Sequence, residues 1–170
     1  HGVFRRQRQM CIRDSLIDYK LSKESTIENV HTKEVSTEFG KFRLDVWRDV
    51  IFDEHHFSLT KGSPEKADVP MVRVQTQSVL QDTLGIDEIG KKWSIRKSLQ
   101  KISDEGTGVF VLINHRDAKT YWLSNLKDEN IEPKRNRRVI GIGSQILRSL
   151  GLSRINVLGT PTKYSGLSGF

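Results

Sequence analysis

The sequence predicts a single α+β domain with a mixed sheet, in which an antiparallel meander of strands leads into an α/β layer. Three observations predict this fold class. Apolar and polar residues alternate with period two over residues 41–50, which is typical of a half-buried strand. Apolar residues recur at helical spacing over residues 89–102. The uninterrupted apolar run at residues 109–113 is typical of a strand buried on both faces.

The first half of the chain supplies the predicted meander. Residues 16–36 are polar with scattered apolar positions, and we interpret them as a short helix and a linker from an upstream domain. We therefore expect the domain proper to span residues 37–170. Two further strands, at residues 56–62 and 71–76, follow the first one across turn-rich segments. The apolar side of the first strand comprises Phe42, Leu44 and Val46.

The second half of the chain alternates helices and strands. Asp87 can cap the helix predicted over residues 89–102 through its carboxylate. A second amphipathic helix is predicted over residues 141–152, and Gly151 closes it. The apolar segment 154–159 predicts another buried strand. Helices that alternate with buried strands indicate an α/β layer.

The first fifteen residues resemble read-through of a sequencing adaptor, because Met10 to Ser15 spell MCIRDS. We treat them as a non-native segment. They hold four arginines and one aspartate, so their removal lowers the net charge from +7 to +4. That charge is ordinary for a soluble domain, and we expect no nucleic acid partner. A natural basic arm that binds RNA is the alternative. No apolar run is long enough to span a bilayer, so we expect a cytoplasmic protein without membrane contact.

Three short motifs give weaker indications. Gly141 and Gly143 follow a polar segment rather than a strand, so we interpret them as a tightly packed helix entry and not as a phosphate-binding loop. His55 and His56 are neighbours on a predicted strand and point to opposite faces, which disfavours a shared metal ion. We interpret them as histidines at the edge of a surface strand. The basic segment 134–138 is interpreted as a solvated loop that could also clamp a triphosphate.

Five segments, taken in order, resemble the GTP cyclohydrolase II family. These segments read LIDYKLSKESTIE, STEFGKFRL, HFSLTKG, LQKISDEGTGVFVLI and GIGSQILRSLGLSRINVLG. The resemblance covers residues 16–170 and is greatest to the C-terminal half of the fused riboflavin enzyme whose N-terminal half is dihydroxybutanone-phosphate synthase. It implies the family's fold, a homodimer, a fused synthase domain as partner, and a chain truncated at both ends.

The resemblance also implies that a zinc site has been lost. The family binds zinc through three cysteine thiolates, and the corresponding positions here are Ser78, Ile89 and Lys91. None of these side chains can replace a thiolate, so we expect no metal and no cofactor. Of the family's Arg-Val-His-Ser-Glu-Cys strand, only Arg73 and Val74 are kept, at positions that bind substrate in the family.

Other family site residues are kept only in part. The family's Asp-x-Arg pair, a general base and a proposed nucleophile, corresponds to Asn136 and Arg138, so the base is lost. Thr160 and Lys163 stand at substrate-binding positions of the family. Together with Arg73 and Arg138, Lys163 could still hold the triphosphate of GTP or another nucleotide.

These observations leave three hypotheses. The favoured one is a catalytically inactive GTP cyclohydrolase II-like domain of riboflavin biosynthesis, structural or regulatory for a fused dihydroxybutanone-phosphate synthase. The second is an active GTP cyclohydrolase II, which opens GTP with release of formate and pyrophosphate. It would need a rebuilt metal site, for which the candidates are His55, His56, His115 and Asp117. The third is a basic module that binds a polyanion through residues 91–92 and 134–138.

Overall fold

The computed structural model describes residues 25–86, 93–114 and 133–159, with side chains from residue 138 onward in the last range. The elements are β1 (Ile27–Thr37), β2 (Gly40–Asp49), β3 (Glu54–Lys61), β4 (Met71–Thr76), α1 (Ile95–Glu105), β5 (Gly108–Ile113), α2 (Pro133–Ser149) and β6 (Asn156–Val157). A 3-10 turn at Pro64–Lys66 and a π-helical turn at Val79–Thr83 lie in the connections. Within these ranges, no helix has the length and hydrophobicity required to cross a membrane.

The sheet is mixed, as the predicted fold class requires. Its six described strands lie in the order β1-β2-β3-β5-β4-β6. The pairs β1–β2, β2–β3 and β3–β5 are antiparallel, whereas β4 pairs in parallel with both β5 and β6. An antiparallel meander thus leads into a parallel layer, and the prediction of an α+β domain is confirmed.

The strands of the meander are not the ones predicted. The sequence assigns β4 to the meander as its third strand, but β4 lies beyond β5 and parallel to it. The meander consists of β1, β2 and β3. Residues 27–36, predicted as part of a helix and linker, belong to β1. Most of β1 is exposed, so it lacks the period-two pattern of buried residues from which a strand can be recognised.

Strand β5 is buried on both faces and separates two hydrophobic cores. Val109, Val111 and Ile113 belong to the core that contains α2. Phe110 and Leu112 belong to the core that contains α1. The prediction of a strand buried on both faces over residues 109–113 is therefore confirmed.

Strand β2 buries polar residues on the face that carries α2. Phe42 is buried against α1, as its apolar position predicts, but Asp45, Trp47 and Asp49 are buried on the opposite face. The indole Nε1 of Trp47 donates a hydrogen bond to Ser58 Oγ at 2.9 Å. Helices cover both faces of the sheet. The alternation of apolar and polar residues along β2 therefore does not separate a buried face from a solvent-exposed one.

Two elements are shorter than predicted. Helix α1 begins at Ile95, where the Ser94 side chain accepts a hydrogen bond from the N–H of Lys97 at 3.2 Å. It ends at Glu105 and is capped by Gly106, which has a φ of 78°. The predicted cap Asp87 lies outside the described residues. Strand β6 consists of two residues at the edge of the sheet, whereas the sequence predicts a buried strand over residues 154–159.

Helix α2 begins earlier than predicted, at Pro133, so its glycines lie inside the helix and not at its entry. Ile142, Ile146 and Leu147 are buried in the core, as predicted. A Cβ atom added at Gly143 would lie 2.7 Å from Cγ1 of Val74. The helix therefore approaches β4 more closely than a larger residue would allow, which confirms the interpretation of tight packing.

The close approach of Gly143 to Val74 predicts a compensating pair of substitutions. We expect Gly143→Ala to lower the free energy of unfolding by about 1 kcal/mol, because overpacking costs about 1–3 kcal/mol and the gain in helix propensity offsets about 1 kcal/mol of that cost. In a Val74→Ala background, where the obstructing methyl groups are absent, the same substitution should be neutral or stabilising. Urea unfolding of the four proteins measures this, and an equal cost in both backgrounds would contradict the packing argument.

Candidate functional site

Arg138 lies on α2 at the centre of a group that we call the Arg138 cluster: Asp49, Phe52, Glu54, His56 and Arg138. The Nη2 atom of Arg138 donates to Glu54 Oε2 at 2.6 Å and lies 3.7 Å from Asp49 Oδ2. The guanidinium group also lies 3.6 Å from the centre of the Phe52 ring, within the range of a cation–π contact. Both carboxylates are buried. The cation is therefore held by two anions and an aromatic ring.

His56 is a fully buried member of this cluster. Its Nδ1 atom accepts a hydrogen bond from the N–H of Asn114 at 3.2 Å, which requires the ring to be neutral with its proton on Nε2. Burial lowers the pKa of His56 below its ordinary value. The carboxylates of Asp49 and Glu54 oppose this shift, and Arg138 adds to it. His56 is therefore neutral at pH 7.

The interpretation of His56 as a surface histidine is wrong. Strand β3 lies between β2 and β5 and not at an edge of the sheet, so the face that carries His56 is covered. His55 points to the other face and is exposed, as the alternation of side chains predicts. Across the described part of the chain, no three His, Cys, Asp or Glu residues are close enough to hold a metal ion. His115 and Asp117 lie outside that part.

Sequence reasoning missed Asp49, Phe52 and Glu54. Asp49 and Glu54 are directly opposite each other in the register of β2 and β3, and the turn between them carries Phe52. A carboxylate at each end of a short connection between two strands was the available signal. It indicates a paired site only after the register is known, because one residue of slippage would turn the two side chains to opposite faces.

The structure does not bring Arg73 and Arg138 together. Arg73 is buried on the face that carries α1, where its Nη1 donates to the carbonyl oxygen of Leu158 at 2.7 Å and its Nε donates to Gln75 Oε1 at 2.8 Å. Arg138 lies on the other face. Val74 also faces α2 and packs in the core. In the described structure, Arg73 thus links β4 to the segment around Leu158, and Val74 packs β4 against α2.

The loop that follows β4 is closed by a carboxylate. Asp82 accepts a hydrogen bond from the N–H of Ser78 through Oδ2 at 2.8 Å, and from the N–H of Ile95 through Oδ1 at 3.0 Å. The Ser78 hydroxyl accepts a long hydrogen bond from the N–H of Gln81, at 3.4 Å. We call the contacts of Asp82 with Ser78 and Ile95 the Asp82 clasp. It joins the end of β4 to the first turn of α1.

The residues of this loop do not fit the zinc site that the family resemblance implies. Three thiolates are required, and the only cysteine of the chain is Cys11. At Ser78, the first thiolate position, a neutral hydroxyl is hydrogen-bonded within its own turn, and serine is not among the usual zinc ligands. The other positions named from the resemblance lie outside the described side chains: Ile89, Lys91, Asn136, Thr160 and Lys163.

The buried neutral His56 predicts that stability falls as the pH falls below about 6.5. The unfolded chain takes up a proton at His56 near pH 6.5, while the folded chain takes it up only at a lower pH. Stability therefore rises with pH in this window, by up to about 1.4 kcal/mol per pH unit. Free energies of unfolding at pH 5.5, 6.5 and 7.5 should show this slope. His56→Gln should flatten it, whereas His55→Gln should keep it; equal slopes in all three proteins would refute the assignment.

Arg138 is predicted to be essential for stability. Arg138→Met leaves two buried carboxylates without their cation, and we expect it to lower the free energy of unfolding by about 3 kcal/mol. Adding Glu54→Gln should recover part of this loss, because it removes one of the buried charges. The matched control is Arg154→Met, which breaks an exposed pair with Asp68 and should cost less than about 1 kcal/mol. Similar losses in the two arginine variants would show that the Arg138 cluster contributes no more to the free energy of unfolding than an exposed ion pair does.

Comparisons with known proteins cover nearly all of the chain. The sequence model of the family described as GTP cyclohydrolase II matches residues 28–170. Two relatives named 3,4-dihydroxy-2-butanone 4-phosphate synthase, from Pseudomonas aeruginosa and Pseudomonas syringae pv. tomato, are 30% and 32% identical over 91% of the chain. The riboflavin biosynthesis protein RibBA of Cytophaga hutchinsonii is 30% identical over 91% of the chain. The chain spans only 44%, 44% and 42% of these relatives.

A solved structure shows the same fold. The crystal structure of RibBX, a two domain 3,4-dihydroxy-2-butanone 4-phosphate synthase from A. baumannii, superposes with a TM-score of 0.66 and 28% sequence identity. The match covers 92% of this chain and 41% of that one. The family match and this fold agree with the resemblance found in the five sequence segments: the chain belongs to the GTP cyclohydrolase II family.

Proposed function

We propose that this chain is a catalytically inactive GTP cyclohydrolase II-like domain of riboflavin biosynthesis, and that it has a structural or regulatory role for a fused 3,4-dihydroxy-2-butanone 4-phosphate synthase domain. The main observation is the loss of the zinc ligands. Three thiolate positions of the family are occupied by Ser78, Ile89 and Lys91, and the only cysteine is Cys11. An open zinc site with three protein ligands is a common means of making hydroxide at neutral pH, and this chain cannot build the family's version of it.

The environment of Arg138 supports the loss of catalysis. Arg138 keeps the arginine of the family's Asp-x-Arg pair, but two buried carboxylates and an aromatic ring hold its guanidinium. The adjacent base position is Asn136, whose amide cannot accept a proton as a carboxylate does. Arg138 thus has a structural role in the described contacts, which needs no substrate.

The fused partner is supported by the relatives. The two Pseudomonas proteins align with this chain over 91% of its length, yet their names state only the synthase activity. The A. baumannii protein is likewise called a two domain synthase. Because this chain spans less than half of each, these proteins have room for a further domain. A role in support of a synthase therefore accounts for a family fold that is kept without its metal site.

Three alternatives are less well supported. An active enzyme with a rebuilt metal site would draw on His55 and His56, but these residues point to opposite faces of β3, and among the described residues no metal-binding group forms. A nucleotide held jointly by Arg73, Arg138 and Lys163 is disfavoured, because Arg73 and Arg138 lie on opposite faces of the sheet. A polyanion-binding module would use residues 91–92, which lie outside the described residues, and residues 134–138, which belong to α2 and not to the solvated loop that the sequence predicts. Of these, Arg138 is already paired with Glu54.

The proposal predicts that the purified protein neither retains zinc nor releases formate from GTP. Zinc content after equilibration and dialysis, and formate production with added zinc and magnesium, are the measurements. Ser78→Cys/Ile89→Cys/Lys91→Cys should bind about one zinc per chain, since it restores the family's three thiolates, and should still release no formate, because Asn136 is unchanged. The matched alanine triple variant should bind none. Stoichiometric zinc or formate from the unmodified chain would overturn the proposal.

Homodimer formation and a cytoplasmic location, both expected from the sequence, stay predictions. Neither is needed for the proposed role.

A further inference from the structure

The connection between β2 and β3, residues 50–53, exposes two apolar side chains. Val50 is 45% exposed and Ile51 is 37% exposed. The next residue, Phe52, turns inward and lies beneath Arg138. The connection therefore has an inner side that belongs to the Arg138 cluster and an outer side that carries two adjacent aliphatic residues in water.

Two hydrogen bonds and one ion pair hold this connection. Asp49 Oδ1 accepts hydrogen bonds from the N–H groups of Ile51 at 2.9 Å and Phe52 at 3.4 Å. Arg48 and Asp53 form an ion pair across it, with 3.0 Å between Arg48 Nη2 and Asp53 Oδ1. A surface that is already ordered loses less conformational entropy when it binds a partner. The exposed aliphatic residues are therefore presented in a form suited to binding.

The chain enters the described domain beside this connection. Thr26 is buried, and its N–H donates to Gln145 Oε1 at 2.7 Å. The carbonyl oxygen of Thr26 accepts a hydrogen bond from the N–H of Val50 at 2.9 Å. A domain fused before the described residues is therefore attached at a point next to Val50. A tether of this kind gives a high effective concentration of the preceding domain at this surface.

We infer that residues 50–51 form the contact site for the preceding synthase domain. This inference rests on the fused partner of the proposed function. An apolar centre with a polar rim is the usual composition of a protein–protein contact, and Arg48, Asp53 and His55 supply an exposed rim here. The occupant is identified by position, because the described domain begins next to this surface, and by the two domain architecture of the A. baumannii protein.

The structure offers a matched control at the opposite end of the strands. Strands β2, β5 and β4 run in the same direction, because β3 is antiparallel to both β2 and β5, and β4 is parallel to β5. Val50 follows the C-terminal end of β2, whereas Val69 precedes the N-terminal end of β4 at residue 71. Because the two strands run in the same direction, the two valines lie at opposite ends of the sheet's strands. Val69 is 44% exposed, nearly the same as Val50. A substitution at Val69 changes an equally exposed valine far from the chain entry.

The test uses the natural protein that includes its preceding domain, with trypsin cleavage at Lys20 and Lys23 of the connecting segment as the readout. Val50→Asp should raise the cleavage rate about tenfold, the change expected when docking weakens by about 1.4 kcal/mol. Val69→Asp should leave the rate unchanged. Thermal unfolding shows whether each variant folds, and Ile51→Asp replaces Val50→Asp if the latter does not.

The outcomes separate this inference from the proposed function. Equal cleavage rates in the unmodified protein and in the folded variants at positions 50, 51 and 69 would overturn the docking site alone. A natural protein without a preceding domain would overturn both the docking site and the fused partner. Zinc binding or formate release would overturn the inactive domain but not the docking site, because cleavage of the connecting segment does not depend on catalysis.

Discussion

The burial of β5 on both faces is the constraint on which the rest of the fold depends. A strand of six residues with apolar side chains on each side needs a cover on each side. Helix α1 covers Phe110, and α2 covers Val111. The strand also joins the antiparallel meander to the parallel pair β4–β6. The positions of α1 and α2 follow from their packing against the two faces of β5. Arg138 and the Asp82 clasp depend on those positions.

How much of the fold could be predicted depended on how strongly each element is buried. Strand β5 and the apolar face of α2 were predictable, because their burial leaves a clear pattern in the sequence. Strand β1 was not, since it is exposed along most of its length and, among the described strands, pairs with β2 alone. The place of β4 in the strand order was also not predictable from the sequence. Its own sequence is compatible with an antiparallel or a parallel neighbour, and its described neighbours β5 and β6 are both parallel to it.

The sequence named Arg138 as a candidate residue but did not predict its environment. The resemblance singled out Ser78 and Arg138, and their roles stay predictions, but it gave no indication that Arg138 pairs with Asp49 and Glu54. These partners are more than eighty residues away in sequence, and a pairing of that kind depends on the register between β2 and β3. The burial of His56 was missed for the same reason, because alternation alone cannot say which face of a strand is covered.

The Asp82 clasp has a consequence for how this domain depends on its surroundings. Proteins whose loops are closed by a metal fold only when the metal is supplied, and they release protons as they bind it. Here the two ends of the loop are joined by hydrogen bonds from Ser78 and Ile95 to one carboxylate of the chain itself. The end of β4 is thus linked to the start of α1 by groups that the polypeptide itself supplies, so this link forms together with the fold.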